Sequence, residues 1–107
     1  MLFIDQPVTN VGLSFCRSTN FSVSNTSQAS VHFVQFLDRL FRESELSVLK
    51  DNPVYLLGES FGGHYVPYFA NAILNSSLGL NLVSVALADG WVNPSIQMMR
   101  YDCLYSS

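Results

Sequence analysis

The stretch VYLLGESFGG, residues 54–63, decides the fold of this chain. Its first four residues form a short apolar run of side chains that favour β-strands, and the stretch ends in a glycine-rich turn. The segment that follows, HYVPYFANAIL at residues 64–74, is apolar and aromatic on most faces, which is typical of a buried helix. A buried strand is therefore expected to pass through a tight turn directly into a helix.

Apolar runs and helical patterns alternate on both sides of this stretch. We predict strands at residues 1–4, 54–57 and 82–87, each of them a short apolar run closed by a turn. Between them we predict helices from Ser27 to Glu43 and from Tyr65 to Leu74. Two successive strand–helix–strand units imply an α/β fold, in which a parallel sheet has right-handed crossovers and helices on both faces. Strands that are apolar throughout agree with a sheet that is covered on both sides.

The first predicted helix is amphipathic, and Ser27 is available as its N-cap. Its apolar face is predicted to carry Val31, Val34, Leu37, Leu40 and Phe41, with Asp38, Arg39, Arg42 and Glu43 turned outward. Before this helix, the residues up to about Thr26 are polar and show no sustained period, so we predict a long surface loop. We further predict a turn at residues 50–53, Pro67 near the start of the second helix and a last helix beginning within residues 97–107.

Composition limits the classes of protein to which the chain can belong. Its 107 residues are 49% hydrophobic and only 12% charged, which argues against disorder but leaves few charges to cover a complete small domain. We therefore expect residues 1–107 to be a fragment of a single domain. The net charge is −3 and the basic residues are scattered, so we expect no nucleic-acid partner. No apolar run approaches the ~18 residues that span a bilayer, so we expect no membrane span.

Cysteines and glycosylation sequons give weaker signals. Cys16 and Cys103 have no Cys or His neighbour at metal-ligand spacing, so we predict no metal site and no cofactor. These cysteines either form a disulfide with each other, pair with cysteines outside the sequence, or are free. Sequons begin at Asn20, Asn25 and Asn75 and favour a secretory route, although the first residues of the chain do not resemble a signal peptide.

The turn itself matches the Gly-x-Ser-x-Gly pattern of the nucleophile elbow of α/β-hydrolases. In that interpretation Ser60 is a nucleophile on a strained strand-to-helix turn, and Gly58 and Gly62 provide the space that the turn needs. The backbone amide of Phe61 would then point to the position where an oxyanion forms. The alternative is a glycine-rich turn that happens to contain a serine.

The other members of a catalytic triad are not predicted within this chain. In α/β-hydrolases the nucleophile is followed along the chain by the acid and then by the histidine. His32 precedes Ser60, and His64 lies on the helical segment that leads away from it, so we interpret His64 as a partly buried structural residue. Asp89 and Asp102 come too early for the triad acid and are interpreted as turn and surface residues.

Three segments resemble the serine carboxypeptidases, peptidases that remove C-terminal residues from peptides. GESFGGHYVPYFANAIL resembles their Gly-Glu-Ser-Tyr-x-Gly-x-Tyr-x-Pro signature, LFIDQPV resembles their Asp-Gln-Pro-Val segment, and VSVALADGWVNP resembles the segment after the nucleophile helix. The resemblance implies an α/β-hydrolase fold, with Ser60 as the acylated nucleophile and the Phe61 amide as an oxyanion donor. It implies that Glu59 grips the terminal carboxylate of the substrate by sharing a proton with it. Residues 5–7 match a segment at the rim of the active site, with a structural role.

The sequence also departs from the family pattern. The upstream Asn-Gly-Gly-Pro-Gly segment, which supplies the other oxyanion donor, is absent, as are the expected downstream acid and histidine. Residues 9–14 carry one additional residue compared with the family's turn, and the family's Gly-Asn-Gly is replaced by Ala88-Asp89-Gly90. None of these departures changes the elbow.

The resemblance implies a fragment of a serine-type carboxypeptidase domain that acts on the C-terminus of peptides. It also implies a location along the secretory route, in a lysosome, a vacuole or outside the cell. Two alternatives remain open at the level of sequence. The parent protein could be an acyltransferase of the same family, or the chain could be a catalytically inactive truncated product or pseudoenzyme.

Overall fold

The computed structural model describes residues 1–6, 12, 23–43 and 45–105, with side chains described up to residue 99. Most of the predicted surface loop, Cys16 and Asn20 lie outside these residues, as do the side chains of Asp102 and Cys103. The regular elements, in chain order, are α1 (Thr26–Glu43), a 3₁₀ helix (Glu45–Leu49), β1 (Val54–Glu59), α2 (Gly62–Leu74), β2 (Leu82–Ala88) and α3 (Pro94–Tyr105).

The strands β1 and β2 form a parallel pair, as predicted, and α2 connects them. The pairing begins with Val54 opposite Leu82 and, after one register shift, runs from Tyr55 opposite Ser84 to Glu59 opposite Ala88. Both strands therefore end at the same edge of the sheet. The chain has the α/β organisation that the alternating pattern predicts.

The prediction of a strand at residues 1–4 is wrong, because residues 1–6 have no regular secondary structure. The side chain of Ile4 packs against the core, whereas Phe3 is 85% exposed. An apolar run predicts burial, but a strand also needs the edge of a partner strand in register. Within the described residues this run contributes a side chain to the core without extending the sheet.

Asn25, rather than Ser27, caps α1. The backbone N–H of Gln28 donates to Oδ1 of Asn25 at 2.9 Å, and Oε1 of Gln28 accepts from the backbone N–H of Ser24 at 2.9 Å. This reciprocal arrangement is close to a capping box, in which the cap residue and the third helical residue satisfy each other's neighbouring donors. The predicted helix is confirmed, and it begins one residue earlier, at Thr26.

The core lies between α1 and α2. Its buried apolar residues are Ala29, Phe33, Leu37, Phe69 and Ile73. The rings of Phe33 and Phe69 stack with centroids 4.2 Å apart. Val31, predicted on the apolar face, is 53% exposed, because it lies two residues, or about 200° of helix rotation, from the buried Phe33. Leu37 is buried as predicted, and Val34, Leu40 and Phe41 are partly buried against the core.

Helices cover only one face of the described sheet, so the prediction of helices on both faces is wrong for these residues. The helix α2 packs on both strands and α1 packs on α2. On the opposite face Tyr55 is 66% exposed and Leu57 is 71% exposed. We call this face, formed by Tyr55, Leu57, Ser84 and Ala86, the outer face of the sheet.

Residues 50–52 form the predicted turn. The last helix begins at Pro94, earlier than predicted. Asn93 caps this helix, because the N–H of Ile96 donates to Oδ1 of Asn93 at 3.3 Å. Pro67 lies inside α2 as its sixth residue rather than in its first turn. The described helices include none that combines the length and the apolar character needed to cross a membrane.

Candidate active site

The predicted nucleophile lies on a strand-to-helix turn with an unusual backbone. β1 ends at Glu59 and α2 begins at Gly62, so that Ser60 and Phe61 form the whole connection. Ser60 has a φ angle of +52°, whereas Phe61 has the right-handed helical values of −62° and −15°. A serine in the left-handed region costs free energy and persists only where neighbouring structure enforces it. The backbone strain expected at the elbow is therefore observed.

Three hydrogen bonds hold the backbone of Ser60. Its N–H donates to the carbonyl of Ala88 at 3.0 Å, and its carbonyl accepts from the N–H groups of Gly63 at 3.0 Å and of Trp91 at 2.7 Å. The end of β2, the turn after it and the first turn of α2 thus fix both backbone polar groups of Ser60, one in each of the two peptide units that flank its Cα. These contacts explain how the strained conformation is maintained.

Two glycines permit this close approach. A Cβ atom on Gly58 would lie 2.6 Å from Cγ2 of Val66, so the strand and helix could not meet there with a larger residue. A Cβ atom on Gly63 would lie 2.7 Å from the backbone nitrogen of Trp91 and 2.8 Å from Cα of Gly90. These two positions keep β1, α2 and the turn after β2 together.

The steric reason predicted for Gly62 does not hold within the described residues. Apart from its chain neighbours and the backbone of its own helix, a Cβ atom there would meet no described heavy atom within 4 Å. The residue that must lack a side chain is its neighbour Gly63. Gly63 was not predicted from the sequence, because its contact, Gly90, follows the other strand and is distant along the chain.

The amide of Phe61 is available at the turn. Among the described residues its N–H donates no backbone hydrogen bond, whereas the N–H of Ser60 is taken by Ala88. Phe61 precedes the first residue of α2, where the positive end of the helix dipole lies. An unpaired N–H group beside a serine hydroxyl is what an oxyanion requires, so the prediction for Phe61 stands as a prediction of function.

Ser60 lines a shallow depression formed after the carboxyl ends of the two strands. Its other lining residues are Asp89, Trp91, Gln97 and Met98. Nε2 of Gln97 donates to the carbonyl of Gly90 at 3.1 Å, which ties α3 to the turn after β2. Asp89 is exposed in this turn, with a φ angle of +47°, in agreement with its interpretation as a turn residue.

Trp91, Gln97 and Met98 were not singled out from the sequence. Parallel strands end at the same edge of a sheet, and ligands of open α/β sheets bind outside that edge. The residues that follow the third predicted strand, from position 88 onward, were therefore candidates on topology alone. What the sequence could not indicate is that α3 begins as early as Pro94 and brings Met98 to Ser60.

Glu59 lies on the other side of the elbow. It is exposed at the end of β1 and lines a larger depression together with Asp5, Gln6, Phe61 and Tyr65. The structure therefore brings the predicted rim residues 5 and 6 to the predicted carboxylate-binding residue. Pro7 lies outside the described residues.

The two histidines are placed as expected from chain order. His64 is partly buried, with its ring centroid 5.5 Å from that of Phe61 and 6.1 Å from that of Tyr68, and His32 is exposed on α1. Within the described residues neither histidine makes a hydrogen bond to Ser60. That part of the chain also contains no group of three His, Cys, Asp or Glu side chains that could hold a metal ion.

Comparisons with known proteins agree with one another. The sequence profile of the family described as "Serine carboxypeptidase" matches residues 1–106. The pheromone-processing carboxypeptidase KEX1 of Ogataea parapolymorpha is 39% identical over 105 residues, which are 94% of this chain and 16% of that protein.

Carboxypeptidase Y of Saccharomyces cerevisiae is 38% identical over 103 residues, which are 95% of this chain and 19% of that protein. A serine carboxypeptidase S10 family member, number 2, of Dictyostelium discoideum is 37% identical over 109 residues, covering 94% of this chain and 19% of that protein. The chain therefore spans less than a fifth of the length of each of these relatives.

Proposed function

The chain belongs to the serine carboxypeptidase family, and from this premise we propose that it supplies the nucleophile elbow of a serine-type carboxypeptidase. Residues 1–107 would be part of a single catalytic domain of α/β-hydrolase fold. Its substrate would be the C-terminal end of a peptide, and its location would lie along the secretory route, in a lysosome, a vacuole or outside the cell.

The observation that carries the proposal is the backbone of Ser60. Its φ angle of +52° on a two-residue connection between β1 and α2 raises the serine at the edge where both strands end. A non-glycine residue in the left-handed region costs free energy, and three hydrogen bonds are needed to hold Ser60 there. Such strain is found mainly at functional sites and is not expected of a turn that only connects two elements. The same geometry is useful to a nucleophile, since it exposes the hydroxyl and preorganises the next amide.

In the proposed reaction Oγ of Ser60 attacks the carbonyl carbon of the last peptide bond of the substrate. A histidine outside this chain takes the hydroxyl proton and returns it to the leaving amine. The N–H of Phe61 donates to the oxyanion of the tetrahedral intermediate, and a second donor lies outside this chain. Water then hydrolyses the acyl-enzyme and regenerates Ser60.

Glu59 would bind the terminal carboxylate of the substrate. Two carboxyl groups can approach each other only when they share a proton, so this binding weakens as pH rises. The exposure of Glu59 and its place beside Asp5, Gln6 and Phe61 support this role, because a substrate bound there remains next to the elbow. The selectivity for a free C-terminus would then reside in one residue adjacent to the nucleophile.

The nucleophile assignment is tested in the full-length protein with a fluorophosphonate probe, which forms a bond only with an activated serine. We expect Ser60→Ala to abolish labelling. Ser84→Ala is the matched control, since Ser84 is exposed on β2 and should not affect the reaction. Labelling that persists in the Ser60→Ala protein would refute the assignment.

A further inference from the structure

A sequon lies at the end of α2, and the proposed active site makes no use of it. Asn75, Ser76 and Ser77 begin the connection from α2 to β2, and Asn75 and Ser77 are both exposed. An exposed Asn-x-Ser in a surface connection is the acceptor of N-linked glycans in secreted proteins. The site is therefore chemically complete and open to solvent.

The side-chain amide of Asn75 is dispensable for the helix end. Nδ2 donates to the carbonyl of Asn71 at 2.8 Å and to Oδ1 of Asn71 at 3.1 Å. The same Asn71 carbonyl already accepts from the backbone N–H of Asn75 at 3.1 Å, so the end of α2 keeps a hydrogen bond when Nδ2 is modified. Ser76 secures the turn independently, since its Oγ donates to the carbonyl of Ile73 at 2.7 Å.

The sequon at Asn25 differs in this respect. Oδ1 of Asn25 is the N-cap acceptor of α1, which accounts for an asparagine at this position without any modification. At Asn75 one side-chain hydrogen bond duplicates a backbone contact and the other joins only the exposed side chain of Asn71, so neither requires an asparagine at this position. This contrast selects Asn75 over Asn25 among the described sequons.

We propose that Asn75 carries an N-linked glycan, an inference that rests on the secretory route of the proposed function. Nδ2 of Asn75 forms a bond to the anomeric carbon of an oligosaccharide that is activated as a polyprenyl pyrophosphate. The bond between that carbon and the pyrophosphate oxygen breaks, the lipid pyrophosphate leaves with the electron pair, and the amide nitrogen loses one proton. Nδ2 keeps one N–H, which suffices for one of its two hydrogen bonds to Asn71.

The glycan would stand away from the substrate. Ser60 precedes the first turn of α2, whereas Asn75 caps its last turn, and a helix of 13 residues is about 20 Å long. In a parallel strand pair the connecting helix returns the chain to the opposite edge of the sheet. The glycan is thus expected to protect this edge without altering the reaction of Ser60.

The experiment uses the full-length protein, secreted from a eukaryotic host and treated with peptide N-glycosidase in ¹⁸O-labelled water, which converts a glycosylated asparagine to labelled aspartate. We expect the label at residue 75. Asn75→Gln and Ser77→Ala should each remove the mass of one glycan, whereas Ser77→Thr should retain it. Asn71→Gln is the matched control, an exposed asparagine of the same helix outside any sequon.

A wild-type protein whose residue 75 stays unlabelled, while its Ser60 reacts with the fluorophosphonate probe, overturns the inference and leaves the proposed function intact. Label at residue 75 in a protein whose serine does not react supports the glycan and contradicts the proposed function. An Asn75→Gln protein that keeps the full glycan mass of the wild type would also overturn the inference, because every glycan would then be attached at another residue.

Discussion

The elbow and the outer face belong to the same two strands but depend on different parts of the protein. At the elbow the backbone of Ser60 has three hydrogen bonds, and Gly58 and Gly63 allow β1, α2 and the turn after β2 to meet. On the outer face the apolar side chains of Tyr55 and Leu57 remain 66% and 71% exposed. The elbow is thus specified by backbone contacts within the chain, whereas the outer face lacks a cover among the described residues.

The largest expected effect concerns the outer face. We expect the isolated 107-residue chain to show no cooperative thermal unfolding. In the part of the chain that the structure describes, one sheet face is apolar and exposed and each strand has one unpaired edge, which favours association over folding. Circular dichroism during heating, together with light scattering at room temperature, checks this expectation. A sharp transition of a monodisperse chain would mean that the outer face needs no partner. The outer face would then be as independent of the rest of the protein as the elbow is.

Gly63→Ala is expected to disrupt the elbow in the full-length protein. The added methyl group would lie 2.7 Å from the nitrogen of Trp91 and 2.8 Å from Cα of Gly90, and these backbone atoms cannot rotate away. Overpacking of this kind costs about 1–3 kcal/mol. We expect a lower melting temperature and slower labelling of Ser60 by a fluorophosphonate.

Leu57→Ala is the control for Gly63→Ala, since it removes apolar surface from the outer face and leaves the elbow contacts in place. Its labelling rate should match that of the wild-type protein. Equal labelling of the wild-type and Gly63→Ala proteins would show that the close approach of α2 to Gly90 does not set the geometry of Ser60.

Glu59→Gln tests substrate binding beside the elbow. We expect kcat/KM for peptides to fall by about tenfold or more, since a hydrogen bond to a charged group contributes about 1.5–3 kcal/mol. Neutral ester substrates present no carboxylate, so their kcat/KM should change little. Steady-state kinetics with a peptide and an ester that share one acyl group provide the measurement, and equal losses on both would exclude Glu59 from carboxylate binding.

The sequence predicted the elbow well because its pattern is local. Ser60, Gly58 and Phe61 lie within four positions of one another, and a strand followed by a helix confines them to one geometry. Gly63 was missed because its contact is made with Gly90 after β2, and a sequence pattern carries no information on contacts between distant segments. Roles of the site residues in catalysis stay predictions.

The errors outside the elbow have the same origin. The apolar run at residues 1–4 indicated burial but not pairing. Ser27 was predicted as the N-cap, although Asn25, two residues earlier, is of an equally good capping type. The reciprocal contacts of Gln28 with Asn25 and Ser24 decide the cap. Helices were expected on both faces because apolar strands indicate cover without identifying which segment provides it.

Gly62→Ala is the smallest expected effect and the sharpest test of the elbow contacts. Apart from its chain neighbours and the backbone of its own helix, a methyl group at position 62 would meet no described heavy atom within 4 Å, whereas one at Gly63 would clash with Trp91 and Gly90. Because Gly62 is the first residue of α2, the substitution should stabilise the protein by no more than about 0.5–1 kcal/mol, the advantage of alanine over glycine in a helix. We expect an unchanged labelling rate and an equal or slightly higher melting temperature. A fall in labelling rate and melting temperature as large as that of Gly63→Ala would mean that the rest of the full-length protein occupies the space beside Gly62. The contacts among the described residues would then not be sufficient to determine which glycines the elbow requires.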